Sequence, residues 1–124
     1  MIYLLFIFLA GVCDAVRDTV LHKFERSRLS GLNPNFWDAK ISWLNKYERF
    51  NNVEIVRTKF LWVIPIPVVF TDAWHLFKGL HTVFIVLAIV FYTPHFYEPL
   101  HSFIFTYLIY KTGFNLFYKA ILNR

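Results

Sequence analysis

Three long apolar stretches constrain this chain most, because together they occupy more than half of its 124 residues. They lie at 2–22, 68–92 and 100–121, and each is close to the length of about 20 residues that a helix needs to cross the hydrocarbon of a bilayer. Charged residues make up 17% of the sequence, against about 25% in a typical soluble domain. A domain this small buries a smaller fraction of its chain than a large one. The sequence therefore predicts an all-α integral membrane protein, with a single membrane domain over 1–124 and three transmembrane helices.

The polar part of the chain, residues 23–66, separates the first two stretches. Asn33 and Pro34 form a typical helix start, with a capping side chain before a proline at the first helical position. Residues 35–50 combine aromatic and charged side chains at helical spacing, which predicts an amphipathic helix lying in the membrane interface. Aromatic residues with one polar edge favour that depth, and the predicted interface anchors are Trp37, Trp43, Tyr47 and Trp62.

The segment that leads into the second stretch, residues 60–71, is apolar but too short to span a membrane. Pro65 and Pro67 are incompatible with a regular helix through it, and irregular backbone inside hydrocarbon survives only when it is buried in protein or lines water. Two interpretations stay open for this segment, a re-entrant one and an interfacial one.

The distribution of basic residues predicts the orientation. Eight of the 13 lysines and arginines lie between the first two stretches, Arg17 lies near the end of the first stretch, and none lies in the turn at 92–99. Basic residues accumulate in cytoplasmic loops, so we expect the amino terminus outside, the central region in the cytoplasm and the carboxyl terminus in the cytoplasm. The net charge of +5 favours contact with an anionic lipid bilayer.

Ionisable residues inside predicted spans mark the candidate functional residues, because they are costly there. Asp14, Asp18 and His22 recur at i, i+4 and i+8, so they line one side of the first helix. Gly11 lies on the same side and would let a neighbouring helix approach closely. Asp72 and His75 form a second pair at i, i+3, near the same predicted membrane face. We expect Lys78 to lean towards Asp72 as a charge partner.

Three interpretations of this Asp/His set remain open. A mixed carboxylate and imidazole set suits a divalent metal such as zinc, iron or manganese, with Asp14, Asp18, His22, Asp72 and His75 as ligands. The same residues could conduct protons or ions. They could also form a structural network with Arg17 and Lys78, since structural ion pairs resemble functional sites.

Residues 33–47, NPNFWDAKISWLNKY, and residues 70–78, FTDAWHLFK, are similar to segments of small uncharacterised membrane proteins of bacteria and their phages. The resemblance implies a membrane location and no particular activity.

The functional interpretation favours a non-enzymatic membrane protein that assembles with itself or with a membrane partner. The sequence contains no phosphate-binding glycine loop, nucleophile elbow or H-E-x-x-H motif. Nucleic acid is not an expected partner, because the central basic and aromatic residues are better explained as membrane anchors. The alternative is a metal-dependent membrane enzyme or an ion- or proton-handling protein that uses the Asp/His set.

Overall fold

The computed structural model describes residues 1–50, 53–56, 59–60, 64–65, 70–94 and 97–123, with side chains at 1–45, 70–94 and 97–123. Its α-helices are α1 (Ile2–His22), α2 (Pro34–Trp37), α3 (Ala39–Ser42), α4 (Ala73–Val90) and α5 (Pro99–Asn115), and a π-helix, Leu116–Ile121, continues α5. Short 3-10 helices cover Phe24–Arg26, Arg28–Gly31 and Trp43–Lys46. Strand β1 (Tyr47–Phe50) pairs antiparallel with β2 (Val53–Val56), and β3 (Lys59–Phe60) pairs with β4 (Ile64–Pro65).

Helix α1 is the centre of the fold. It packs against α4 on one side and against α5 on another, whereas α4 and α5 contact each other far less. The rings of Tyr3 and Tyr92 lie 5.2 Å apart at one end of the α1–α4 pair, and Arg17 lies over Trp74 at the other. Helices α1 and α4 are therefore antiparallel. The fold is helix packed on helix, which confirms the helical class predicted from the sequence.

The close approach of α1 and α5 depends on one glycine from each helix. A Cβ atom at Gly11 would overlap the backbone carbonyl oxygen of Tyr110, and a Cβ atom at Gly113 would overlap that of Phe8. The two glycines therefore let the backbones touch at two levels, as small residues do where membrane helices pack. The expectation that Gly11 admits a neighbouring helix is confirmed.

Many large apolar side chains lie on the outside of the bundle, and small residues occupy many of its buried positions, with Tyr3 as a large buried exception. Fully or nearly fully buried positions on α1, α4 and α5 include Ala10, Ala15, Ala73, Ala88 and Ser102. Large apolar side chains that are half or more exposed include Val86, Ile89, Leu100, Phe103 and Leu108. Within the described residues, Ala73–Val90 is the helix long and apolar enough to cross a membrane, with a mean hydropathy of 1.7.

The helix predicted over residues 35–50 is not continuous, so that prediction is wrong. The Asp38 side chain accepts a hydrogen bond from the backbone N–H of Lys40 at 3.0 Å, and Asp38 becomes the cap between α2 and α3. Aspartate competes for backbone donors in this way, which interrupts helices. Beyond Lys46 the chain turns into β1, and Asn33 caps α2 as predicted.

We expect Gly11→Ala to lower the free energy of unfolding by about 1–3 kcal/mol, the usual cost of overpacking, although alanine alone would favour the helix by about 1 kcal/mol. Reversible unfolding of the purified protein by a denaturant, followed by circular dichroism, measures the change. Gly31→Ala is the matched control, because nothing lies within 4 Å of its added Cβ. Equal losses in the two variants would contradict the close approach.

Candidate functional site

A chain of hydrogen bonds joins the three long helices near the glycine crossing. The Tyr110 hydroxyl of α5 donates to Oδ2 of Asp14 on α1 at 2.8 Å. His81 of α4 places Nε2 at 3.2 Å from the same hydroxyl oxygen. Because the tyrosine proton is engaged with Asp14, the oxygen accepts from His81, which assigns a proton to Nε2. Each helix therefore contributes one residue to this chain.

Arg17 neutralises the Asp14 carboxylate and connects the hydrogen-bonded chain to the start of α4. Its Nη1 lies 3.2 Å from Oδ1 of Asp14, one helical turn earlier, and both side chains are about one-quarter exposed. The Arg17 guanidinium carbon lies 5.5 Å from the centre of the Trp74 ring, within the range of a cation–π contact. Asp14 is thus compensated by one cation and by one tyrosine hydroxyl.

A second polar cluster forms at the beginning of α4. Asp72 caps the helix, with Oδ1 accepting from the backbone N–H of His75 at 2.9 Å. Its Oδ2 accepts from Nδ1 of His75 at 2.6 Å and from the Thr71 hydroxyl at 3.2 Å. Asp72 is only 1% exposed. A buried carboxylate needs such donors, and the N-cap position supplies them because aspartate is favoured there.

The structure divides the five predicted metal ligands among different surroundings. Asp14 is engaged by Arg17 and Tyr110, and Asp72 is engaged by His75 and Thr71. Asp18 is half-buried on α1, whereas His22 is exposed and lines a cavity at the end of that helix. In the part of the chain that is described, no group of three or more His, Cys, Asp or Glu side chains is arranged to hold a metal ion. The metal site therefore stays a prediction.

Lys78 contacts an aromatic ring. Its Nζ lies 5.0 Å from the centre of the Trp74 ring, and the His75 ring meets the same indole edge-on at 4.9 Å. Asp72 accepts its hydrogen bonds from His75 and Thr71, and the role of Lys78 as its charge partner stays a prediction.

The predicted interface anchors occupy different surroundings. Trp37 is partly buried, with its ring 6.0 Å from that of Phe77 on α4, so it packs on the bundle. Trp43 is 43% exposed and borders a small cavity beside Asp72. The backbone of Tyr47 begins β1, and its side chain, like Trp62, lies outside the described residues. Their role as anchors stays a prediction.

Sequence reasoning missed Tyr110 and His81. The spacing offered one signal for Tyr110: it stands three residues before Gly113, as Gly11 stands three residues before Asp14. A glycine one turn from a polar residue on each of two helices is the pattern expected when close backbone contact brings the polar groups together. No spacing signal exists for His81, because its partner lies on another helix.

The arrangement suits proton exchange and helix coupling better than covalent chemistry. Asp14, Tyr110 and His81 form a continuous chain of groups that donate and accept protons. The one cysteine of the chain, Cys13, is buried within the bundle. A hydrogen-bonded chain of this kind also fixes the relative register of three helices, because each bond joins a different pair.

Comparison of the chain with protein-family models, with curated proteins and with solved structures finds no match.

We expect Tyr110→Phe to lower the free energy of unfolding by about 1–3 kcal/mol, because it leaves partly buried polar groups of Asp14 and His81 unpaired. Reversible unfolding of the purified protein by a denaturant measures the loss. Tyr107→Phe, one turn earlier on α5 and 50% exposed, is the control and should change stability by less than about 0.5 kcal/mol.

A second measurement isolates the hydrogen bond itself. In an Asp14→Asn background the loss caused by Tyr110→Phe should shrink, since interacting residues are not additive. An undiminished loss in that background would show that Tyr110 stabilises the protein without using Asp14.

Proposed function

We propose that this chain is a multi-pass membrane protein whose α1, α4 and α5 cross the bilayer, and that it acts by assembling with a second copy of itself. The observation that carries the proposal is the apolar outer surface of the bundle, on which Ile89, Leu100 and Phe103 are more than half exposed. In the 18-residue apolar window of α4 only 11% of the residues are buried within the bundle. An aqueous surface of that composition would aggregate, whereas lipid or a partner helix covers it at no such cost.

The position of the charged residues supports three spans. Asp14, Arg17 and Asp18 interrupt the apolar sequence of α1, and α5 has 17 residues before its π-helical extension. The charges in α1 and the shorter length of α5 explain why length and hydropathy identify α4 as the candidate span among the described helices. Charged side chains inside membranes face the interior of a bundle and pair with one another, as Asp14 and Arg17 do at 3.2 Å. Helix α1 is sheltered by α4 and α5, so its charges do not exclude it from a membrane.

The orientation follows from the eight basic residues between α1 and α4, together with Arg17 near the end of α1. The amino terminus and the α4–α5 turn lie outside, while the central region and the carboxyl terminus lie in the cytoplasm. The directions of the three helices are compatible with this arrangement, since α1 and α5 run parallel and α4 runs opposite to them.

The outward face of α4 is the proposed assembly surface. It carries a shallow depression of about 550 Å³ whose lining includes Gly79, Thr82, Val83 and Val86. Small residues on a helix face allow a second helix to approach, and here they face away from α1. A second copy presents the same face, which gives the self-complementary contact of a twofold dimer.

Cysteine labelling tests the three-span arrangement. In a Cys13→Ala background, Tyr97→Cys should react with a membrane-impermeant maleimide on intact cells, whereas Gly31→Cys should react only after the membrane is permeabilised. Both native residues are exposed, so accessibility within the protein is matched and only the side of the membrane differs. A Gly31→Cys variant that reacts in intact cells would refute the orientation.

Disulfide crosslinking tests the assembly surface. In the same background, mild oxidation of native membranes should convert Val83→Cys into a covalent dimer, because its side chain is 50% exposed on the proposed surface. Phe103→Cys on α5 is the control, since it is 68% exposed on another face. Crosslinking of both variants alike, or of neither, would contradict a dimer through α4.

A second candidate function, proton handling, is favoured by the Asp14–Tyr110–His81 chain. A proton entering at His81 reaches Asp14 through one hydroxyl, with bonds of 3.2 and 2.8 Å. Reconstituted vesicles with a pH-sensitive dye inside test this function, and a leak abolished by Tyr110→Phe would support it. The metal-dependent enzyme has no comparable support among the described residues, where no ligand group is formed.

A further inference from the structure

A polar cavity lies at the carboxyl end of α1, away from the hydrogen-bonded chain. Its volume is about 530 Å³, within the range of small-molecule sites, and it is lined by residues 22–26, Lys40 and Asn123. The cavity is therefore built by the turn after α1, by α3 and by the end of the chain. No function described above uses it.

Backbone contacts hold the walls of this cavity together. The Arg28 N–H donates to the Leu122 carbonyl at 2.9 Å, and Ser27 forms an antiparallel bridge with Asn123. Phe24 is buried beneath the turn. The Ser27 hydroxyl donates to the Phe24 carbonyl at 2.7 Å and accepts from the Leu29 N–H. The cavity is thus a preformed feature of the fold.

The charged groups around the cavity are mainly positive. Lys23, Arg26 and Lys40 line it, with Glu25 as the acidic member. Lys23 is positioned by the Tyr118 ring, whose centre lies 4.1 Å from its Nζ. Lys40 and Glu25 approach to 3.8 Å, but their side chains are 65% and 76% exposed. Such an exposed pair is weak, so a stronger anion can displace Glu25.

The depth of the cavity follows from the length of α1. A helix of 21 residues is about 31 Å long, which matches the hydrocarbon thickness of about 30 Å. If α1 crosses the bilayer, as proposed above, its carboxyl end lies at the level of the lipid phosphates. The exposed apolar residues Leu21 and Ile41 are the sequence neighbours of His22 and Lys40, which line the cavity.

We propose that this cavity binds the phosphodiester headgroup of an anionic phospholipid. Arg26 and Lys40 contact the phosphate oxygens, because charge-assisted hydrogen bonds from arginine and lysine are the strongest available to that group. Lys23, held on Tyr118, adds positive charge, and Glu25 opposes binding. The proposal deepens the membrane function above and depends on it for the depth of the site.

The test titrates the full chain, purified in a zwitterionic detergent, with phosphatidylglycerol. The rise in unfolding temperature reports the apparent affinity, because a ligand that binds the native state stabilises it. The double variant Arg26→Gln/Lys40→Gln should weaken the apparent affinity about tenfold, the effect of losing one good charged contact.

The matched control is Arg28→Gln/Lys119→Gln, which removes the same charge from exposed residues that do not line the cavity. It should weaken the apparent affinity by less than about threefold, the effect expected of general attraction alone. Equal weakening in both double variants would overturn the proposal, since the lipid would then be held by the basic face as a whole.

Glu25→Gln supplies a test that loss of folding cannot imitate, because it should tighten binding. The substitution frees Lys40 and removes the opposing charge, so the apparent affinity should rise several-fold. Glu98→Gln changes the net charge equally at the start of α5 and should leave the affinity within about twofold of wild type, given the screening of distant charges. Unchanged or weaker binding by Glu25→Gln would overturn the site.

Glycerol 3-phosphate distinguishes a lipid from a soluble anion. At equal concentration it should stabilise the protein less than phosphatidylglycerol does, because it lacks the chains that Leu21 and Ile41 contact. Equal stabilisation would overturn the lipid assignment. The lipid titration is made in micelles and tests the headgroup site, whereas the cysteine labelling is made in cells and tests the topology. Failure of one proposal is therefore distinguishable from failure of the other.

Discussion

Sheltering the charges of α1 between two apolar helices is the constraint on which the rest of the structure depends. Asp14 and Arg17 lie in the middle and later part of that helix, and their mutual distance of 3.2 Å satisfies only part of their hydrogen-bonding capacity. Tyr110 of α5 donates a further hydrogen bond to Asp14, and the Trp74 ring of α4 packs on the Arg17 guanidinium. Both contacts require close packing, which Gly11 and Gly113 permit by letting the backbones of α1 and α5 touch. The two glycines therefore make possible the contacts that compensate Asp14 and Arg17.

The apolar outer surface of the protein follows from this packing around α1. Because α1 uses most of the buried surface, α4 and α5 present their large apolar side chains outwards, as Ile89 and Phe103 do at 71% and 68% exposure. A helix buried among others would show the opposite arrangement. This outward surface supports the proposed membrane location, on which the proposed headgroup depth of the polar cavity at the end of α1 depends.

The middle of the chain shows where local pattern and tertiary structure disagree. Trp37, Ile41 and Leu44 recur at helical spacing, yet Asp38 uses its side chain to cap α3 and divides the helix. Trp37 then packs on Phe77 of α4. Periodicity indicates which side chains share a helix face, but a capping side chain decides where the helix ends. At Asp38 the periodicity predicted a continuous helix, whereas the capping side chain ended it.

The sequence alone determined the long helices and the importance of their buried acids. The length of the first apolar stretch predicted a helix over 2–22, and the capping preference of asparagine predicted a helix start at Asn33. The cost of burying charge indicated that Asp14 and Asp72 need partners. The partners one turn away, His75 for Asp72 and Arg17 for Asp14, follow from local spacing, whereas tertiary structure alone decided the distant ones. Tyr110 is 96 residues from Asp14 along the chain and His81 is 29 residues from Tyr110, so no spacing rule joins them. The same holds for the basic cavity, whose Lys40 and Asn123 meet the end of α1 only after the chain has folded. Local propensity acts over one or two helical turns, whereas these contacts depend on which faces of separate helices pack together.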